Sequence, residues 1–228
     1  MNKYKGRVVM VVVAHPDDEI LGCGGTITRF IEQEGYVVHV LILSHGITSR
    51  DNWDEQDINI LQEEMYKANQ TVGVKKSNIY LENFPDNRFD TVPLLDIVKT
   101  ISKHVQHVKP DMVFTHHHMD LNVDHRITFQ GVITACRPLN SISVRCVLCM
   151  EVLSSTEWNP PQMFSPNVFY DVSSFIDKKL EALECYRSEL RVGSHPRSLK
   201  AVKGNAGVWG CKLGVGYAEA FEVVRWLI

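Results

Sequence analysis

The chain has 228 residues, which is enough for one large α/β domain with a sizeable core. Hydrophobic residues make up 44% and charged residues 22%, and the net charge of −3 provides no basic surface of the kind that binds nucleic acid. No run approaches the ~18 apolar residues of a membrane span, and the apolar run near the N-terminus ends in charged residues rather than in a signal-peptide cleavage site. We therefore expect a cytoplasmic protein with neither a membrane span nor a nucleic-acid partner.

Strands and helices are predicted in alternation along the chain. The first strand is the apolar run 8–13, whose valines are typical of a strand buried on both faces of a parallel sheet. Further strands are predicted at 36–46, 78–81, 112–115 and 144–153. Helices are predicted from about 24 to 34, where Gly35 ends the helix, and at 61–72, at 94–105, from 124 to before Pro138, and at 176–187.

This alternation predicts an α/β fold, with a doubly wound, mostly parallel sheet and helices on both faces. We expect a single domain comprising residues 1–228. The segment 154–167 is expected to form an ordered flap, because it contains Trp158 and a pair of prolines. The glycine-rich segment 202–221 yields no assignment, and the six cysteines are expected to be free thiols.

Two polar clusters directly follow predicted strands. The sequence His-Pro-Asp-Asp-Glu at 15–19 follows the first strand, and a run rich in His and Asp at 115–126 follows the strand 112–115. Ligands bind outside the carboxyl ends of the strands in open α/β sheets, so these two loops can meet at one rim. A His and an Asp three residues apart, with at least one further His, match the ligands of a catalytic zinc site and equally those of non-haem iron(II).

The adjacent carboxylates of the first cluster are expected to have different roles. Because Asp17 and Asp18 are neighbours in a tight turn, we expect one to bind the metal and the other to act as a general base on water. One of the three acids at 17–19 is allowed for as a helix N-cap. The glycines at 22–25 fit neither the dinucleotide fingerprint nor a P-loop, so nucleotide binding is not favoured.

The two clusters resemble a known family. AHPDDEILGCGGTI at 14–27 and HxxDLNVDHR at 117–126 are similar to the signature motifs of the LmbE-like, or PIG-L, family of zinc-dependent N-acetyl-sugar deacetylases. ENFPDNRFD at 82–90, SHPRS at 194–198 and GVGYAEAF at 214–221 extend the resemblance over nearly the whole chain. The resemblance implies a Rossmann-like fold and one zinc ion per chain.

The resemblance also implies individual roles. By motif position, His15, Asp18 and His125 are the implied metal ligands, and Asp17 is the implied general base that later acts as an acid. Asp124 is implied to orient the side chains of the second motif, which is a supporting role behind the ligands.

Several members of the family carry a His at the position of Asn122. An amide can still donate a hydrogen bond to a developing oxyanion, so Asn122 is kept as a candidate catalytic residue, although it cannot act as a cationic acid. Arg50, Arg88, His195 and Arg197 are candidate substrate-binding residues that could reach hydroxyls or a phosphate.

The sequence thus predicts a metal-dependent amidohydrolase that removes the acetyl group from an N-acetylated amino sugar, such as N-acetylglucosamine, or its conjugate. The predicted cofactor is Zn²⁺, with Fe²⁺ or another divalent ion as alternatives. Two other functions stay open, namely a different reaction at the same site (O-deacetylation or hydration of a small carboxylic acid) and a non-catalytic metal- or sugar-binding module. The substrate and the existence of a homo-oligomer are not determined by the sequence.

Overall fold

A computed structural model describes residues 7–139, 143–159 and 163–227. Its strands form one seven-stranded sheet in the order β3-β2-β1-β4-β5-β7-β6. The strands are β1 Val8–Val13, β2 Val37–Ser44, β3 Ile79–Phe84, β4 Met112–His116, β5 Cys146–Met150, β6 Val168–Asp171 and β7 Ala218–Trp226. Strands β1 to β5 are mutually parallel, and β7 runs antiparallel to both β5 and β6. The predicted α/β class and its mostly parallel sheet are confirmed.

Helices cover both faces of the sheet. They are α1 Asp18–Arg29, α2 Glu55–Thr71, α3 Leu94–Val108, α4 Val123–Ala135, α5 Ile176–Cys185 and α6 Leu199–Leu213. Alternate residues of β1 point to opposite faces, so Val11 packs with apolar residues of α1, α2 and α5, whereas Val12 packs with those of α3 and α4. Buried apolar residues thus pack between the sheet and the helices on each of its two faces. The predicted helices on both faces are confirmed.

The first helix starts earlier than the sequence predicted. It begins at Asp18 rather than near Gly24, because Asp18 and Glu19 form its first turn, where the helix dipole favours acidic side chains. Cys23 has non-helical backbone angles (φ −148°), so the predicted start coincides with a kink inside the helix. A π-helical turn, Phe30–Glu34, continues the helix, and Gly35 ends it in the left-handed conformation as predicted.

The C-terminal third differs most from expectation. The glycine-rich segment forms α6 and leads into β7, and the short strand β6 was not predicted. In the flap segment the structure describes a 3₁₀ turn, Thr156–Trp158, while the prolines at 160 and 161 lie outside the described residues. All six cysteines are free thiols, as predicted. Among the described helices, none is long and apolar enough to cross a membrane.

Two glycines of α6 provide a matched stability test. A Cβ on Gly210 would lie 2.7 Å from the Gly216 carbonyl oxygen, whereas a Cβ on Gly204 meets nothing within 4 Å. We expect Gly210→Ala to lower the free energy of unfolding by about 1–3 kcal/mol through overpacking. Gly204→Ala should raise it by up to about 1 kcal/mol through helix propensity. Urea unfolding of both variants measures the difference, and equal effects would contradict the close packing of α6 on the 215–216 turn.

Candidate metal centre

The candidate site lies at the carboxyl ends of β1 and β4, which are parallel neighbours in the sheet. The turn after β1 carries His15, Asp17 and Asp18, and the loop after β4 leads into α4, whose first turn carries Asp124 and His125. Side chains 110 residues apart in sequence are therefore brought to one rim of the sheet, as the sequence predicted.

Three donor atoms converge at this rim. His15 Nδ1 lies 3.4 Å from Asp18 Oδ2, His125 Nε2 lies 3.3 Å from the same oxygen, and the two nitrogens are 3.3 Å apart. Ligands at ordinary zinc distances in a tetrahedral site are separated from one another by roughly 3.4 Å. The donor atoms of His15, Asp18 and His125 thus fit a single small divalent ion.

Carboxylates behind the imidazoles set which nitrogen faces the cluster. His15 Nε2 lies 3.0 Å from Asp124 Oδ2, which leaves Nδ1 toward Asp18. His125 Nδ1 lies 3.2 Å from Asp120 Oδ1, which leaves Nε2 toward Asp18. A carboxylate behind a histidine is the usual support of a metal-binding imidazole.

A second group of possible ligands shares His15 and includes Asp86 and Asp124. These carboxylates already accept other hydrogen bonds: Asp86 accepts from the Ser49 amide (3.0 Å), and Asp124 accepts from the Asn87 amide (2.7 Å). Asp18 Oδ2 also accepts a backbone amide, that of His15 at 2.9 Å, so the two groups differ in their ligands rather than in these bonds. We favour the group with His125, because it offers two imidazoles and one carboxylate, whereas the second group offers a single imidazole.

The electrostatics of the centre favour a cation. Burial acts to lower the pKa of His15, but hydrogen bonds to Asp124 and Asp18 outweigh it and raise the pKa to about 10. Burial acts in the same way on His125, and the charges of Asp18 and Asp120 raise its pKa to about 9. The buried carboxylates thus stabilise positive charge at the position where the three donor atoms meet.

Asp17 stands beside the ligand cluster but is not part of it. Its backbone is left-handed, with φ 93°, so its side chain diverges from that of Asp18. Its Oδ2 accepts a hydrogen bond from Arg197 Nη1 at 3.0 Å. Burial raises the pKa of Asp17 well above its usual range, although the Arg197 guanidinium acts against this. The structure therefore separates the two adjacent carboxylates, as the sequence predicted.

Glu19 supports the turn at Asp17 through hydrogen bonds to its carboxylate, a role that the sequence did not predict. Its Oε2 accepts the Asp17 amide at 3.2 Å, and its Oε1 accepts Asn69 Nδ2 at 2.8 Å and the Tyr186 hydroxyl. Burial raises the pKa of Glu19 to about 7, although the bond from Tyr186 acts to lower it. Asp17 occupies the N-cap position of α1, as was allowed for one of the three acids, but its side chain makes no capping hydrogen bond.

Two further buried residues lie close to the ligands: the sequence left the role of His116 open and did not single out Asp120. His116 stacks on His125 with ring centroids 3.8 Å apart, and its Nε2 accepts the Ala14 amide at 2.9 Å. Burial lowers the pKa of His116 to about 3, so it packs as a neutral ring. Asp120 accepts Thr156 Oγ1 at 2.6 Å behind His125. Asp120 lies inside the motif HxxDLNVDHR, and this position was the sequence feature that could have indicated a role for it.

Asp124 lies in the second motif, but its side chain contacts His15 of the first motif. It contacts His15, and it also accepts the backbone amides of Asn87 at 2.7 Å and Phe89 at 2.9 Å. The expectation that Asp124 orients side chains of the second motif is not met, because the first turn of α4 directs it toward the end of β1. Asp124 thus joins the loop at 86–89 to the metal ligand of the first motif.

A polar cavity of about 260 Å³ opens over the cluster. Asn122, Arg50 and Arg197 line it, whereas Arg88 is exposed and, like His195, is not part of the lining. His195 Nδ1 accepts the Arg197 amide at 3.1 Å, so it supports the loop rather than the cavity. The two predicted substrate contacts at Arg88 and His195 are not supported by their positions.

The predicted residues that do line the cavity have partners within the protein. Arg50 forms an ion pair with Glu189, and Arg197 pairs with Asp17. Asn122 caps α4, where its Oδ1 accepts the Asp124 amide at 2.8 Å and its Nδ2 donates to Asn87 Oδ1 at 3.0 Å. An amide group has two N–H donors, so one remains for a ligand.

The fold and the cluster define an α/β protein with a candidate metal-binding site at one rim of its sheet. Residues 10–136 match the family described as PIG-L: GlcNAc-PI de-N-acetylase. Since this match covers more than half of the chain, the protein belongs to the PIG-L family.

Curated relatives and solved structures agree with this assignment. The chain is 29% identical to "Uncharacterized deacetylase YaiS" of Escherichia coli, over 82% of this chain and 93% of that protein. It is 24% identical to "Probable N-acetyl-alpha-D-glucosaminyl L-malate deacetylase 2" of Bacillus cereus, over 80% and 84% of the two chains. The solved N,N'-diacetylchitobiose deacetylase of Pyrococcus horikoshii superposes with a TM-score of 0.77 at 22% identity, over 96% and 84%.

One relative has a different reaction in its name. The chain is 24% identical to "4-oxalmesaconate hydratase" of Pseudomonas putida, over 96% of this chain and 89% of that protein. Family membership and the deacetylase relatives identify the chain as a hydrolytic enzyme whose class acts on amide bonds. This sets aside the alternative of a non-catalytic binding module.

The buried Glu19 network is tested by removing one acceptor. Glu19→Gln replaces a carboxylate that receives three donors with an amide that must present its own N–H groups to some of them. An unsatisfied buried donor costs about 1–3 kcal/mol, so we expect a loss of that size in the free energy of unfolding. The exposed Glu63→Gln on α2 is the matched control, and urea unfolding is the measurement. If the two variants are equally stable, Glu19 does not hold the turn.

Proposed function

We propose that the protein removes the acetyl group from the amide of an N-acetylated amino sugar or its conjugate, with one Zn²⁺ per chain as the cofactor. His15, Asp18 and His125 would hold the ion, and Asp17 would be the catalytic base and acid. The observation that carries the proposal is the convergence of His15 Nδ1, Asp18 Oδ2 and His125 Nε2 beside a carboxylate that is not part of the cluster.

The ligand set supplies the cofactor chemistry. Two imidazoles and one carboxylate are the ligands of a catalytic zinc site with an open coordination position. A divalent ion there supplies Lewis acidity, which makes water nucleophilic near neutral pH and polarises a carbonyl group. Fe²⁺ suits the same ligands and is the alternative ion.

Asp17 is suited to carry the proton. Because a base must be ionised before it can accept a proton, the Arg197 guanidinium at 3.0 Å favours the active form of the buried carboxylate. In the proposed reaction Asp17 takes a proton from the attacking water and later delivers it to the departing amine. Its carboxylate is held for this by two contacts, the Arg197 pair and the Glu19 bond to the Asp17 amide.

Asn122 is the proposed donor to the oxyanion. Its Nδ2 donates one hydrogen bond to Asn87 Oδ1 at 3.0 Å, which fixes the orientation of the amide at the edge of the cavity. The second N–H is then available to the substrate oxygen. Loss of a comparable Asn donor in another hydrolase costs about 3 kcal/mol of transition-state stabilisation.

The cavity favours a small polar substrate. Its volume of about 260 Å³ lies just below the roughly 300–1,000 Å³ of typical small-molecule sites, which favours one sugar ring at the reacting position. Ser49, Asn87 and Arg191 add polar groups to the lining that suit sugar hydroxyls. Several relatives are named as deacetylases of acetylated glucosamine compounds, which supports the same substrate class. A cytoplasmic location stays a prediction.

A second candidate function is hydration of a small unsaturated carboxylic acid, favoured by the hydratase relative. Water addition and amide hydrolysis can use the same metal-activated water and the same base. The products separate the reactions, because only N-deacetylation releases acetate and a primary amine in equal amounts. Release of acetate without an amine would indicate O-deacetylation instead.

The role of Asp17 is tested by Asp17→Asn. The amide cannot accept the proton, so kcat on an acetylated amino sugar should fall by about 10²–10⁴-fold. Metal content should stay at the parent value, because Asp17 lies outside the ligand group. Asp90→Asn, at an exposed position of the 3₁₀ turn Phe89–Thr91, is the control and should leave kcat unchanged. Parent-like turnover by Asp17→Asn would show that another group is the base.

The metal ligands are tested by removal and reconstitution. Dialysis against a chelator should abolish primary-amine release from acetylated amino sugars and nucleotide sugars, and Zn²⁺ should restore it. His125→Ala should fail to recover activity and should lose the ion at this centre, because one of its three ligands is gone. Full activity in the chelator-treated parent would exclude a metal-dependent reaction.

A further inference from the structure

Three consecutive histidines occupy the end of β4 and the turn after it, and their side chains contact different parts of the protein. His116 packs beneath the candidate catalytic centre, where it stacks on His125. His117 and His118 instead meet Glu222, which lies on β7 opposite Cys149 of β5. No residue of this second group belongs to the catalytic group.

We propose that His117, His118 and Glu222 form a second site for a transition-metal ion such as Zn²⁺. One donor atom from each side chain lies within 4.8 Å of the others. The closest pair is His117 Nε2 and Glu222 Oε2, which are 3.2 Å apart, a separation that suits two ligands of one ion. Two imidazoles and a carboxylate favour Zn²⁺ and Cu²⁺ over Mg²⁺ and Ca²⁺.

The three side chains are held from several directions. His117 is buried, and the ring of Phe164 packs edge-on against it at 5.4 Å. Glu222 Oε2 accepts the Ser165 amide at 3.3 Å. His118 is exposed, so an ion can enter from solvent and displace water rather than protein. The site is therefore partly ordered before binding and open on one side.

Binding requires one proton to move within His117. Its Nδ1 accepts the Met119 amide at 3.3 Å, which places the ring proton on Nε2, toward Glu222. An ion on Nε2 shifts that proton to Nδ1 and ends the contact with Met119. The contact is longer than an ordinary hydrogen bond, so the exchange costs little, and the Met119 amide becomes a spectroscopic reporter of this site.

The bound ion would connect three segments of the chain. These are the turn after β4, the strand β7, and residues 164–165 of the flap segment. The same turn positions Asp120 through its amide, which donates to the His117 carbonyl at 3.2 Å, and Asp120 lies behind His125. The second site therefore stabilises the loop that supports the catalytic centre without contributing a group to it.

Zinc titration of the chelator-treated full-length protein tests the proposal. Calorimetry and elemental analysis should find two Zn²⁺ per chain in the parent. His118→Gln and Glu222→Gln should each weaken one of the two binding events by at least ~100-fold, since the loss of a supporting contact alone costs 10–100-fold. Both variants should keep deacetylase activity once the catalytic centre is loaded. His107→Gln, an exposed histidine on α3, is the matched control and should bind as the parent does.

A second readout assigns the ion to this site. In protein labelled with ¹⁵N-methionine, the Met119 amide resonance should shift with one of the two zinc equivalents, and the shift should be absent in His118→Gln. The proposal is overturned if the parent binds a single equivalent that His118→Gln leaves unchanged, if both variants bind zinc as the parent does, or if the Met119 resonance does not move. Because His125→Ala affects only the other equivalent, failure of the catalytic proposal is distinguishable from failure of this one.

Discussion

The site depends on one constraint, the parallel pairing of β1 with β4. Parallel neighbours end at the same rim of a sheet, so the polar turn after β1 and the start of α4 must meet there. The pairing places His15 Nδ1 and His125 Nε2 3.3 Å apart with Asp18 between them. Two imidazole nitrogens at this distance are stabilised by a shared cation, whether it is a proton or a metal ion.

The residues behind the ligands hold this arrangement through buried charge. Asp124 and Asp120 each face the outer nitrogen of one imidazole, while Glu19 holds the turn that carries the candidate base. Buried carboxylates are costly unless they are paired, so the site is stable only with a cation or with several hydrogen-bond donors. The network accordingly accepts many backbone amides, which fixes the ligands before substrate arrives.

The sequence predicted the alternation of elements and the two ligand loops, because apolar runs that end in charged residues are strong local signals. It placed the start of α1 too late, since the kink at Cys23 breaks the helical pattern. It assigned no role to Glu19, His116 or Asp120, whose partners are distant in sequence and are known only once the chain is folded. The arginines were hardest to predict, because Arg197 is committed to Asp17 by tertiary contact alone.

The account is tested most directly by X-ray diffraction from crystals of the zinc-loaded protein, collected on both sides of the zinc absorption edge. The anomalous difference map should show a peak bound by His15 Nδ1, Asp18 Oδ2 and His125 Nε2, at about 2.0–2.2 Å from each atom. A peak on the opposite nitrogen of His15, between Asp86 and Asp124, or no peak at this rim, would contradict the assignment of the centre.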